Sequence, residues 1–218
     1  VGNVGARMWL GAFELDGTPR WLIDQPPWTE GMADAATSVA VAADGSIYVA
    51  GLVAVGVNEA TMIVDDDLWL GAFDPDGAPR WARVQAGADQ WFDRGNDVVL
   101  DPQGQPLVVG TLYTKPLAAT TYFDRDAWLG QYDVDGEPLW TWSHDGPLHT
   151  VDEGWGAAFD ADGMLVMVGS TAVRRHGNDA LVLELLPPST AGRRGPASPA
   201  RPLVVREPEP VALDERGT

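Results

Sequence analysis

DAWLGQYDVDGEPLW, residues 126–140, has near-copies at 67–81 (DLWLGAFDPDGAPRW) and at 8–21 (MWLGAFELDGTPRW, preceded by Arg7). The landmarks keep step: Trp9, Trp69 and Trp128 are 60 and 59 residues apart, and so are Gly17, Gly77 and Gly136. A second tryptophan follows each glycine by four residues, at Trp21, Trp81 and Trp140. A constant period of this size marks an architecture built by repetition.

Outward from the phrase, each copy reads as four short strands. In the third copy these are 128–133, 138–143, 154–160 and 164–170, with hairpin turns at 134–136 and 161–163. Asp-Gly between alternating apolar runs is the strongest short-range hairpin signal, since glycine takes up the positive φ that the turn needs. TSVAVAADGSIYVAG at 37–51 and NDVVLDPQGQPLVVG at 96–110 are the matching second hairpins of the other copies. No stretch has a helical period.

Four-stranded units at this spacing predict an all-β chain of the β-propeller class, one antiparallel blade per unit. The expected division is 1–186 for the blades, with repeats at about 6–65, 66–124 and 125–178 and a first strand of a fourth at 179–186. Three complete blades leave sheet edges open, so the expectation is a piece of a larger propeller, completed by the remaining blades of a parent chain or by self-association. The first strand of each copy is expected innermost, with Gly11, Gly71 and Gly130 letting backbones converge. The second-strand tryptophans are expected to pack between sheets. Residues 187–218, rich in Pro, Ser, Ala, Gly and Arg, read as a disordered tail or linker.

Composition narrows function by exclusion. The chain has no cysteine, which removes disulfides, thiolate metal sites and cysteine nucleophiles. Its net charge of −18 repels phosphate backbones, so nucleic acid is not an expected partner. No apolar run reaches the roughly 20 residues of a membrane span. No catalytic residue is assigned: His144, His149 and His176 have no metal-ligand spacing, and GxSxG, P-loop and GxGxxG patterns are absent.

Connections in a meander alternate between its two ends. The tight turns therefore share one face, and the longer segments 24–36, 84–95, 144–153, 52–66, 111–125 and 171–178 share the other. Long loops on a rigid scaffold are where binding resides. That face carries the candidate ligand-binding residues Trp28, Trp91, Phe92, Trp155 and Tyr122, with acidic groups interleaved. Aromatics beside carboxylates suit sugars or cations, and the plainer alternative is that they anchor the loops.

Asp34, Asp93 and Asp152 recur eleven residues before the glycine of each second hairpin turn. They are candidates for ligand contact, although a carboxylate there can equally accept backbone N–H bonds and shape the third strand. No cofactor is assigned. Calcium is the one ion considered, with Asp65, Asp66 and Asp67 as loose candidates, since the D-x-D-G turns lack the remaining ligands of a calcium loop.

The phrase D-A-W-L-G-x-Y-D-x-D-G-x-P-L-W, then Asp152, then AAFDADGMLVMVGST, resembles the bacterial SBBP-type β-propeller repeat. The first copy departs from it, with Arg7-Met8 in place of Asp-Ala. The resemblance implies an exported bacterial protein (extracellular, periplasmic or cell-surface) with a binding role and no catalytic residue to carry over. The Gly-x-x-x-Trp spacing is similar, more weakly, to the docking element of quinoprotein-type propellers, which implies blade packing. Together these readings give a non-catalytic binding or scaffold module that takes a carbohydrate, a cation or a protein on the long-loop face. The alternatives are an enzyme (a glycan-active hydrolase or lyase, or a quinoprotein-like oxidoreductase) and a purely structural spacer.

Overall fold

The computed structural model describes residues 2–4, 7–59, 62–87, 91–114, 124–173 and 177–185. Residues 187–218 lie outside these. Strands β1 (Gly2–Val4), β2 (Arg7–Phe13) and β3 (Pro19–Gln25) form a first sheet. A second contains β4 (Ala35–Val41), β5 (Ile47–Asn58), β6 (Ile63–Phe73) and β7 (Pro79–Gln85). A third contains β8 (Arg94–Leu100), β9 (Pro106–Tyr113), β10 (Arg125–Tyr132) and β11 (Pro138–His144). β12 (Asp152–Phe159), β13 (Leu165–Val173) and β14 (Gly177–Leu185) form the fourth. Within the sheets every strand pairing is antiparallel and between sequence neighbours, so each sheet is a simple meander. No helix among the described residues is long and apolar enough to cross a membrane.

The sheets are offset by half a copy from the sequence repeat. Three four-stranded units and a lone strand were expected; the sheets instead have three, four, four and three strands. Each copy gives its first two strands to the end of one sheet and its last two to the start of the next. The offset arises because the last strand of each copy pairs with the first of the next, β5 with β6, β9 with β10 and β13 with β14. The segment 52–66, expected as a loop between units, goes furthest. Its alternating Val53, Val55, Val57 and Ile63 extend β5 and β6 into one long hairpin, paired from Ile47↔Phe73 to Asn58↔Ile63. The passage between sheets runs instead through the connection from β3 to β4, and its equivalents from β7 to β8 and from β11 to β12.

The strands at which neighbouring sheets are latched also differ from expectation. β4, β8 and β12, the third strands of the copies, lie side by side. Each carries a bulge, between Ala36 and Ser38, Gly95 and Asp97, and Gly154 and Gly156. The extra residue turns its side chain to the next sheet: Thr37 Oγ1 donates to Gly95 O at 2.6 Å, and Asn96 Nδ2 to Gly154 O at 2.6 Å. Ser38 Oγ donates to Asp97 Oδ1 at 2.7 Å, joining the same strands. Gly71 and Gly130 serve another purpose. The indoles of Trp69 and Trp128 fold back over these glycines of their own strands, leaving no room for a Cβ.

Three apolar clusters fill the spaces between successive sheets. Period-two alternation sends Leu68, Leu70 and Ala72 of β6 toward the third sheet, against Val98, Val108, Trp128 and Tyr132. It sends Trp69 and Phe73 toward the first sheet, against Met8 and Leu10. The third space joins Leu107, Val109 and Leu129 to Leu165, Met167 and Leu183. Full burial of one such side chain contributes about 1.5–3 kcal/mol. The second-strand tryptophans pack here too: Trp21 and Trp81 lie against clusters, Trp140 belongs to one, and Trp81 Nε1 donates to Val134 O at 2.9 Å.

Candidate functional site

Every sheet has a turn end and a loop end. At the turn end, tight hairpins close with bonds such as Gly77 N to Asp74 O at 2.8 Å and Asp74 N to Ala78 O at 2.8 Å. Asp16 and Asp76 accept from the amide two residues on, and in the third copy Asp133 does the same for Asp135 N, the Asx geometry that favours aspartate in these turns. Gly136, at φ +81°, sits against the Trp81 indole of the preceding sheet, 2.7 Å from where a Cβ would stand.

At the loop end, Asp34, Asp93 and Asp152 are almost wholly buried and act as fasteners. Asp34 accepts from Trp28 N at 2.6 Å and Ala54 N at 3.0 Å. Asp93 accepts from Gly87 N and from Tyr113 N at 2.6 Å. Asp152 accepts from Gly146 N at 2.8 Å and Ala172 N at 3.3 Å. In each copy the partners lie six residues back and twenty ahead. The carboxylate therefore ties the connection between sheets to the second strand of the sheet it begins. Its oxygens point inward to amides, which leaves ligand contact to other groups.

The aromatic candidates divide. Trp28, Phe92 and Trp155 are 54%, 44% and 46% exposed. Trp91 is half-buried and stacks on Tyr113, with ring centroids 5.9 Å apart, so it holds its connection to β9. The connection pairs with the extended hairpin as well: Asp66 N donates to Trp91 O at 3.1 Å and Asp93 N to Asp66 O at 2.7 Å. Trp155 is the bulge residue of β12, with the Arg94 guanidinium 5.8 Å from its ring centroid. Tyr122 lies outside the described residues.

Asp65, Asp66 and Asp67 stand on β6, paired with Gly56, Ala54 and Val53, rather than in a loop. Burial, with help from neighbouring carboxylates, pushes Asp67 up to about 6, and Asp66 is raised for the same reasons. Burial alone raises Asp65, whose Oδ1 is enclosed without a hydrogen-bond partner. Asp93 is pushed up to about 7 by burial, against the opposing pull of its two amide bonds.

The sequence did not single out one grouping. Asp124 and Asp126, the counterparts of Asp65 and Asp67 one copy on, meet Asp145 with one carboxylate oxygen from each lying within 4.8 Å of the others. Three such oxygens are the donor type of a hard divalent cation. The first two are buried, and Asp145 Oδ2 also contacts His149 Nδ1 at 2.8 Å. The 59-residue shift from Asp65 and Asp67 was a usable signal for two members. Asp145 comes from a different connection and had none.

No protein-family model matches the chain, and no curated protein matches it as a relative.

Proposed function

We propose that the four sheets are successive blades of a β-propeller, and that the protein is a non-catalytic binding module that takes a carbohydrate at its loop end. The observation that carries this reading is the exposure of Trp28, Phe92 and Trp155 at the end opposite the tight turns. Trp21, Trp69, Trp81, Trp128 and Trp140 of the repeated phrase are used in packing, whereas these three aromatics stand outside it and remain about half exposed. Aromatic rings stack on the C–H faces of sugar rings, and the half-exposed Asp66, bridged to Phe92, could accept hydrogen bonds from sugar hydroxyls. The resemblance to the SBBP-type repeat adds an exported, bacterial setting to this reading.

A spacer would have no need for exposed aromatics at one end. An enzyme would draw on Asp67 and Asp93, whose raised pKa values are of the kind active sites use. Asp93 is nevertheless held by two backbone amides, which suits a fastener better than a proton carrier. The test is a glycan array followed by tryptophan-fluorescence titration of each hit, with and without Ca²⁺. Binding should weaken about tenfold or more in Trp28→Ala or Trp155→Ala. Silence across the array in both conditions ends the carbohydrate reading.

A further inference from the structure

The chain contains one sheet-to-sheet interface three times over, and its two outer sheets expose the two unmatched halves of it. In each internal interface the earlier sheet offers alternate residues of one strand: Met8 and Leu10, then Leu68 and Leu70, then Ala127 and Leu129. The later sheet answers with Trp69 and Phe73, then Trp128 and Tyr132, then Leu181 and Leu185. All of these side chains are buried.

The far face of the fourth sheet carries the next members of the first series. Val182 follows Leu70 and Leu129, and Val168 follows Ala50 and Val109. Those four counterparts are 0% exposed, whereas Val168 and Val182 are each 46% exposed. Ala158 and Ala180 on the same face are exposed too. The far face of the first sheet carries the answering series. Trp9 is half-buried there, Phe13 is 51% and Leu22 63% exposed, and they line an open hollow of about 490 Å³ with the Arg7–Asp24 ion pair. The glycine berth that holds the indole in the second and third sheets is taken at Gly11 by Leu22 and Phe13.

Two smaller features repeat the pattern. Gly77 and Gly136 of the turns lean on tryptophans of the preceding sheet, whereas Gly17 has nothing within 4 Å of where a Cβ would stand. Thr37 and Asn96 latch the bulge to the following sheet, and Trp155, an indole N–H donor, occupies the same place in β12.

We propose that these faces take a second copy of this chain, head to tail, the fourth sheet of one copy packing on the first sheet of the next. The occupant follows from continuity: the contact would extend an interface the chain already makes three times, using faces that both belong to it. A heterologous contact of this kind builds closed rings or open chains, according to the rotation per copy. The inference does not depend on the carbohydrate reading, but it shares Trp155 with it: packing of a second copy would take that indole from a sugar and leave Trp28 and Phe92.

The test is sedimentation velocity of the whole chain over a wide concentration range, with Val182→Asp on one face and Leu22→Asp on the other. Both positions are exposed, so the variants should keep the wild-type melting temperature. Phe13→Lys and Val168→Lys are second choices should either fail to fold. The wild-type chain should grow in mass with concentration, and each variant alone should associate about tenfold or more weakly. An equimolar mixture of the two should form a dimer and stop there, because one intact face of each kind remains. A wild-type chain that stays monomeric throughout, as it would if residues 187–218 covered either face, overturns the proposal. So does association that neither variant weakens, or a mixture that fails to recombine.

Discussion

Aspartate is used at both ends of the second, third and fourth sheets, close to solvent at the turn end and enclosed at the loop end. At the turn end, Asp16 and Asp44 lie in solvent and accept from Thr18 and Ser46 two residues ahead, which holds them below the usual carboxylate range. At the loop end, Asp93 accepts two amides as well, yet it is pushed up to about 7 because burial outweighs them. The turn aspartates define a local bend that the chain makes by itself. The loop aspartates join segments twenty residues apart, and that junction is enclosed once the sheets pack. The same side chain is thus a local device at one end and a tertiary one at the other.

The largest expected effect of breaking this contrast is at Asp93. Asp93→Ala leaves the Gly87 and Tyr113 amides enclosed without an acceptor, and chemical denaturation should report a loss of about 3 kcal/mol. A loss under about 1 kcal/mol would make the buried carboxylate dispensable and erase the distinction.

Next come the turn glycines. Gly136→Ala should cost about 2–3 kcal/mol, from the positive φ and the approach to Trp81. Gly17→Ala, with a similar φ of +88° and open space around it, should cost about 1 kcal/mol. Equal losses in the two variants would show that the indole contact adds nothing.

The pH dependence comes third. Asp67 and Asp93 bind protons more tightly when folded, so their stabilising effect is complete below their ordinary values and fades as pH rises through about 6 and about 7. The melting temperature should therefore rise as pH is lowered from about 8 to about 5, and Asp93→Asn should remove much of that rise. Asp16 and Asp44 act in the opposite sense, and their contribution disappears only as pH falls through their lowered values, below the usual carboxylate range. A flat profile between about pH 5 and 8 would contradict the burial assigned to the loop end.

The smallest effect is expected at Asp44→Ala, which removes an exposed turn bond. Its melting temperature should drop by about 2 °C or less.

Much of this was legible in the residues. The alternation of β6, the Asp-Gly hairpins and the packing role of Trp81 and Trp140 all follow from local pattern. The sharing of one end by the longer connections followed from meander geometry, and the Trp91–Asp66 bonds join two of them. Other features were hidden. Asp65, Asp66 and Asp67 looked like loop residues because charge interrupts the apolar run, but pairing with β5 carries the strand through them. Gly71 and Gly130 were assigned to backbone convergence because glycine is silent about what fills the space beside it. The exposure of Trp155 depends on which side of its sheet has a neighbour, and no local pattern encodes that.

The sequence alone determined the central part of most strands, the tight turns, the repeat of 60 and 59 residues and the all-β class, because strands and turns rest on patterns between residues close along the chain. A periodic sequence has no phase, however: the same repeat can be cut before any of its strands. Tertiary structure chose the cut, through the hydrogen bonds that join β5 to β6 and leave β3 and β4 in different sheets. That choice decided which aspartates are enclosed, which aromatics meet solvent, and which two faces have no neighbouring sheet among the described residues.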